Sequence, residues 1–201
     1  MRLESLHALY VERLRDMRDA ENQILKALPR MIERVQHADL RAALENHLDD
    51  TRQQAARLEM IFDELDESPR GKKCKGMAGV LDEADELASE KGDPGVIDAA
   101  IIDAAQHVEH YEIAGYGTLC TFAGLLGYDR HQTLLETSLS EEKKADEKLT
   151  DLAERSINLD ALHGEERVVP RPVEAADLPR NEPDKPPPAR RPFFGEEERR
   201  F

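Results

Sequence analysis

Apolar residues recur along this chain at steps of three and four, the period of a helix with one buried face. Four long stretches show the pattern. The first starts within the first few residues and runs to about Val35, with Leu6, Tyr10, Leu14, Met17, Glu21, Ile24, Leu28 and Met31 on one stripe. Pro29 lies inside it and predicts a kink, because proline removes a backbone donor. The second runs from about Leu40 to Asp66, with Leu40, Ala43, Leu44, His47, Asp50 or Thr51, Gln54, Leu58, Phe62 and Leu65 on its stripe. The third covers Ile101 to Gly124, with Ile101, Ala105, Val108, Glu109, Glu112, Tyr116, Leu119 and Ala123 on one face. The fourth runs from about Arg130 to Ser156, with Leu134, Leu135, Leu139, Glu142, Asp146, Leu149, Leu152 and Ala153. Its Glu141, Lys143 and Lys144 are expected to point outward, as runs of charge on a solvated face do.

The segments between the stripes set the topology. Gln36-His37-Ala38-Asp39 is a short turn with Asp39 the expected N-cap, so the first two helices form an antiparallel hairpin. Glu67 to Gly76 reads as a loop by its Pro, Gly and Lys content. Met77 to about Lys91 predicts a shorter helix with Val80, Leu81, Ala84 and Leu87 on one face. Asp93 and Pro94 then announce the third long helix as N-cap and first helical residue, and Gly127 closes it. A connection that carries its own helix can return the chain along the bundle. The predicted class is therefore all-α: a four-helix bundle over residues 1–162, with a crossover helix between the second and third long helices.

Past Leu162 the pattern stops. Residues 166–201 hold eight of the eleven prolines, which excludes helix for most of a tail spanning 163–201. That tail is expected to be disordered or polyproline-like. It also carries three of the five phenylalanines. It is either an irregular extension or a docking peptide, Arg-Pro-Phe-Phe-Gly around Phe193 and Phe194, that binds this protein or another.

Composition narrows the classes. The 201 residues carry a formal net charge of −15, which argues against nucleic acid and anionic membranes as partners. No apolar run approaches the roughly 20 residues of a membrane span, and the N-terminus shows no apolar signal core. Cys74 and Cys120 are the two cysteines, too few for a disulfide framework or a thiolate-rich zinc site. The expected location is cytoplasmic.

Every long stripe is interrupted near its middle by polar groups: Glu21; His47, Asp50 and Gln54; Glu109 and Glu112; Glu142 and Asp146. A buried carboxylate costs several kcal/mol, of order, unless something compensates it. Either the register is off by one residue and the acids are solvated, or they converge at the bundle midpoint. His47 alone is either a core side chain or a ligand. Six carboxylates and an imidazole at one height would repel one another without cations. Oxygen ligands with one nitrogen suit iron or manganese. The common di-iron bundle uses Glu-x-x-His on two helices. Here the second helix offers His47-x-x-Asp50, the third Glu109-x-x-Glu112 and the fourth Glu142-x-x-x-Asp146, so the site would be richer in carboxylate. Tyr116, one turn beyond Glu112, is the candidate catalytic residue, able to donate a hydrogen bond or an electron.

Asp19-Ala-Glu-Asn-Gln, His47-Leu-Asp-Asp-Thr-Arg-Gln-Gln, Lys73-Cys-Lys-Gly-Met, Gln106-His-Val-Glu-His-Tyr-Glu-Ile-Ala-Gly-Tyr-Gly and Leu139-Ser-Glu-Glu together resemble the YciE/YciF family of bacterial ferritin-like stress proteins. The resemblance covers about residues 3–160. It implies a ferritin-like, rubrerythrin-related bundle, a homodimer, a dinuclear metal centre and a role in stress. The metal pattern of the family carries onto Glu21, His47, Asp50, Glu109, Glu112, Glu142 and Asp146. Asp50 stands where a longer Glu is expected in many relatives, which alters its reach.

The leading functional expectation is a redox protein with two Fe per chain, or Mn in their place, that reacts with peroxide or O2 and oxidises Fe(II). No four-cysteine rubredoxin-like module is present, so electrons come from Fe(II) or a separate donor. The alternative is a non-catalytic, stress-induced helical dimer in which metal is a staple or absent. A third reading, an iron-storage cage, has no sequence feature in its favour.

Overall fold

The structure is a computed structural model that describes residues 4–165. Helix α1 spans Leu6–Arg34, α2 Ala38–Leu65, α3 Lys75–Ser89, α4 Pro94–Leu125 and α5 Asp129–Leu152. One π-helical turn, Ala153–Ile157, carries α5 into the short α6, Asn158–Glu165. Among the described residues there is no strand, so the all-α class stands. The four long helices are α1, α2, α4 and α5. They pack as a ring in which α1 meets α2 and α4, and α5 meets α2 and α4, leaving α2 and α4 on a diagonal.

Directions follow from cross-helix contacts. Asp98, near the start of α4, binds Gln36 and His37 just past the end of α1, while Tyr128, beyond the end of α4, meets His7 at the start of α1. α4 is therefore antiparallel to α1. Gln54 reaches Glu142 and Glu64 reaches His131, so α5 is antiparallel to α2. Two hairpins joined by one crossover, with α3 lying against α1 and α4, is the ferritin-like arrangement. No helix among the described residues is long and apolar enough to cross a membrane.

Local chemistry explains the helix ends. Ser5 accepts from Ala8 N–H at 3.0 Å and Asp93 from Gly95 N–H at 2.9 Å, with Pro94 in the first turn of α4. Gly127, at φ 74°, closes α4: Tyr128 N–H bonds the Ala123 carbonyl and Gly127 N–H that of Gly124. α1 continues through Pro29 as one helix.

Three expectations need correction. Asp39 is not the N-cap of α2; the helix starts at Ala38, and His37 precedes it without a side-chain cap. The turn is held from outside instead, because buried Asp98 accepts the backbone N–H of Gln36 at 2.9 Å and of His37 at 2.8 Å. Leu87 is 39% exposed, while Met77, Ala84 and Ala88 form the buried face of α3, rotated from the expected one. The fourth long helix does not run uninterrupted to Ser156; the π turn shifts the register so that Leu152, Ala153 and Ile157 are all buried. Residues 166–201, including Phe193 and Phe194 of the expected docking peptide, lie outside the described residues.

The core has apolar ends and a polar waist. Tyr10, Leu14, Leu58 and Phe62 are fully buried towards one end, and Leu28, Met31, Leu40 and Ile101 towards the other. Each such side chain contributes roughly 1.5–3 kcal/mol by leaving water. The two apolar layers hold the waist in place between them.

Candidate metal centre

The waist is built by helical periodicity. On α4, Glu109 and Glu112 lie one turn apart on the stripe that also buries Val108, Tyr116 and Leu119. All eight positions named for that stripe are buried, so the solvated-register reading fails. α1 contributes Glu21, α2 His47 and α5 Glu142, and all of these side chains are at most 5% exposed. One ligand atom from each of His47, Glu109, Glu112 and Glu142 lies within 4.8 Å of the others. His47 Nε2 stands 3.5 Å from Glu109 Oε1 and 4.0 Å from Glu112 Oε2. Glu21 adjoins this group through Tyr116, whose hydroxyl donates to Glu21 Oε1.

Asp50 and Asp146 are not drawn into the group of four. Thr51, not Asp50, takes the buried position one turn after His47, and its hydroxyl donates back to the His47 carbonyl at 2.8 Å. Asp50 is half-buried on the wall of a neighbouring cleft. Asp146 turns towards the outer side of α4, where Gln106 Nε2 donates to it at 3.0 Å and His110 Nε2 lies 3.4 Å away.

The burial is electrostatically unfavourable as it stands. Removal from water pushes the Glu21 carboxyl up to about 8, with Glu142 adding to the rise and the Tyr116 hydroxyl opposing it. Burial, followed by the charge of Glu142, holds Glu109 and Glu112 well above the usual carboxylate range. Burial lowers His47, so its neutral, ligating form is favoured. Tyr116 is raised by burial and then by Glu21.

A second layer supports Glu142. Gln54 Nε2 donates to Glu142 Oε1 and, at 3.2 Å, to Glu141 Oε2. Glu141 in turn forms a bidentate pair with Arg57 at 2.6 and 2.7 Å, and Arg57 also donates to Ser138 Oγ. The expectation that Glu141 points outward is therefore wrong. It faces α2 because Arg57 is there to receive it. Sequence periodicity missed Arg57 and Ser138 as well, although Ser138 lies one turn before Glu142 on the same stripe.

The unpartnered atoms are the signal of a ligand. Glu21 Oε2, His47 Nε2, Glu109 Oε2, both oxygens of Glu112 and Glu142 Oε2 are buried without a hydrogen-bond partner. Buried polar atoms are normally satisfied, and leaving one orphaned costs about 1–3 kcal/mol. Such a set, converging in one place, can hold a metal. Access exists: a cleft of about 600 Å³ between α2 and α5 has His47 and Glu109 in its lining.

Fold and centre define a ferritin-like bundle with a buried carboxylate–histidine group. The chain belongs to the family described as a domain of unknown function, DUF892, which it matches over residues 5–162. It is 38% identical over 159 residues to Protein YciF of Escherichia coli (strain K12), covering 79% of this chain and 96% of that one. The crystal structure of the E. coli stress protein YciF matches with a TM-score of 0.74, covering 77% of this chain and 98% of that one. YcfI from Rhodopseudomonas palustris is 46% identical, with a TM-score of 0.71, over 74% of this chain and 94% of that one. A protein from Xanthomonas campestris pv. campestris, 21% identical with a TM-score of 0.65 over 81% of this chain and 99% of that one, is a likeness in fold alone. The resemblance to the YciE/YciF family is thus borne out.

Proposed function

We propose that this protein binds two iron or manganese ions in the waist of the bundle and there reduces peroxide or O2 with oxidation of Fe(II). The observation that carries the reading is the set of orphaned oxygen and nitrogen atoms on Glu21, His47, Glu109, Glu112 and Glu142. Four buried carboxylates and one neutral imidazole leave four negative charges when ionised. Arg57, whose charge acts on Glu21, is engaged by Glu141. Two divalent ions would balance that charge and take up the free lone pairs. Oxygen donors with a single nitrogen favour iron or manganese over softer-ligand metals.

When bound, such ions supply one electron each to an O–O bond. The protein's own groups do the rest. Glu21, His47, Glu109, Glu112 and Glu142 hold the centre, and Gln54 fixes one Glu142 oxygen so that the other is presented inward. Tyr116, fully buried, donates its hydroxyl hydrogen bond to Glu21 Oε1 and so holds that carboxylate with its other oxygen free for the centre. The apolar layers above and below exclude water, so that the small oxidant enters by the cleft beside His47.

The test is anaerobic loading with Fe(II) followed by limiting H2O2, with Fe(III) and residual peroxide both followed. The expected result is faster Fe(II) oxidation than in protein-free buffer, with two Fe(II) oxidised per H2O2, and loss of that acceleration in Glu112→Gln. Metal binding without acceleration would favour a structural staple and overturn the redox reading.

A further inference from the structure

We infer that the cleft beside the centre binds an organic hydroperoxide carrying an anionic group, which names the substrate class of the site proposed above and rests on that reading. The cleft is lined by residues of α2 and α5, with Glu109 of α4 reaching its inner side. Its volume of about 600 Å³ far exceeds what H2O2 needs, since a water occupies roughly 30 Å³ of liquid. It falls within the ~300–1,000 Å³ of pockets that hold organic ligands. The lining is chemically divided. Ala43 and Ala145, backed by the buried Leu44 and Leu149, give an apolar surface, which a hydrogen peroxide channel does not require. Ala43 and Ala145 keep the space between the two helices open by their small size.

Lys144 and Lys148 stand one turn apart on α5 and both line the cleft. Neither makes an ion pair with an acid among the described residues, although Glu141 on the same helix is fully engaged by Arg57. Asp39 and Asp50 lie on the α2 wall, and Glu141, the acid that α5 adds to the lining, is paired with Arg57, so the anionic group is assigned to the two lysines of α5. The inner end of the cleft is the reactive one: His47 is 5% and Glu109 1% exposed, and His47 Nε2 and Glu109 Oε2 have no hydrogen-bond partner. A carboxylate on the lysines and an alkyl body on the alanines and leucines place a hydroperoxide group towards that end. Reduction of ROOH cleaves its O–O bond, takes up two electrons and two protons and yields ROH and water. The electrons come from two Fe(II), which become Fe(III).

Binding is measured on the full-length, metal-free protein by calorimetry and by backbone NMR, with decanoate as an unreactive stand-in and decanol as its uncharged control. Decanoate is expected to bind saturably and to shift the amides of Ala43 and Ala145. The double variant Lys144→Glu, Lys148→Glu is expected to weaken decanoate about tenfold or more and to leave decanol unchanged. Ala145→Phe is expected to remove both, with unchanged helical circular dichroism. On the iron-loaded protein, the lysine variant is expected to raise KM for a carboxylate-bearing hydroperoxide relative to tert-butyl hydroperoxide. Absence of decanoate binding, or binding indifferent to the lysines, would overturn the inference. That result is read without metal or turnover, so it is separable from the Fe(II) oxidation experiment that tests the function.

Discussion

His47 Nε2 on α2 and Glu109 Oε1 on α4 lie 3.5 Å apart, although these two helices stand on a diagonal of the bundle. The pair therefore meets across the bundle axis. Burial lowers the His47 pKa and raises that of Glu109, so both favour their neutral forms, and a bound cation would draw only the carboxylate into its charged form. The neutral imidazole can bind a metal as it stands, and the protonated carboxylate would bind one with release of its proton.

That relationship has a pH signature. Glu21, Glu109 and Glu112 have folded pKa values raised above the unfolded value of about 4.3. They bind more protons folded than unfolded. Their stabilising contribution is full below pH ~4.3 and is lost as pH rises through the folded values, about 8 for Glu21. His47 acts in the opposite sense, but only as pH falls towards and below its unfolded value of about 6.5. Between pH ~6.5 and 8 the opposing contribution of His47 and His131, both lowered by burial, fades while that of the glutamates persists, so the Tm of the metal-free protein is expected to fall across that window. Glu112→Gln is expected to raise that Tm and flatten its slope, since one raised carboxylate is gone. Thermal melts of the metal-free proteins at several pH values check both; a Tm that rises from pH 6.5 to 8 would be inconsistent with clustered, protonated glutamates.

Gln54 presents a second, local test. It touches Glu142 directly and Glu141 at 3.2 Å. Groups that orient metal ligands typically contribute about 10–100-fold to metal affinity. Gln54→Ala is expected to weaken Mn(II) or Fe(II) binding by that order and to leave the helical circular dichroism unchanged. Calorimetric titration of the variant measures it.

Asp98 is expected to matter for stability, not for the centre. It accepts two backbone N–H groups in the turn between α1 and α2. Asp98→Ala leaves both donors without their partner and should cost about 1–3 kcal/mol of unfolding free energy. Denaturant melts should show the loss while metal affinity stays at the wild-type value.

The four long helices and their inward faces were legible in the sequence because the apolar period is long and regular. Val108, Glu109, Glu112 and Tyr116 could be placed on one face from spacing alone, but whether that face was buried or its acids solvated stayed open until the structure showed all four buried. Spacing could not choose between Asp50 and Thr51, which differ by one position on α2; the structure puts Thr51 inside, where its hydroxyl can bond the His47 carbonyl. Nor could it show that Glu141 turns inward, because Arg57, its partner, lies 84 residues away in the chain. The same holds for Asp98, whose cap on the Gln36–His37 turn spans more than 60 residues. Helical period fixes which way a side chain faces. Which long-range polar partner receives it is decided by how the helices come together.

Metal content is the most direct check on the centre. Full-length protein is expressed with iron or manganese supplementation, purified without chelator, and its metal measured by mass spectrometry alongside protein concentration. About two Fe or Mn per chain is expected for the wild type, and near-complete loss for Glu109→Ala, with the helical circular dichroism of that variant retained. Absence of bound metal in the wild type, or an undiminished metal content in Glu109→Ala, would contradict the assignment of Glu21, His47, Glu109, Glu112 and Glu142 as a metal centre.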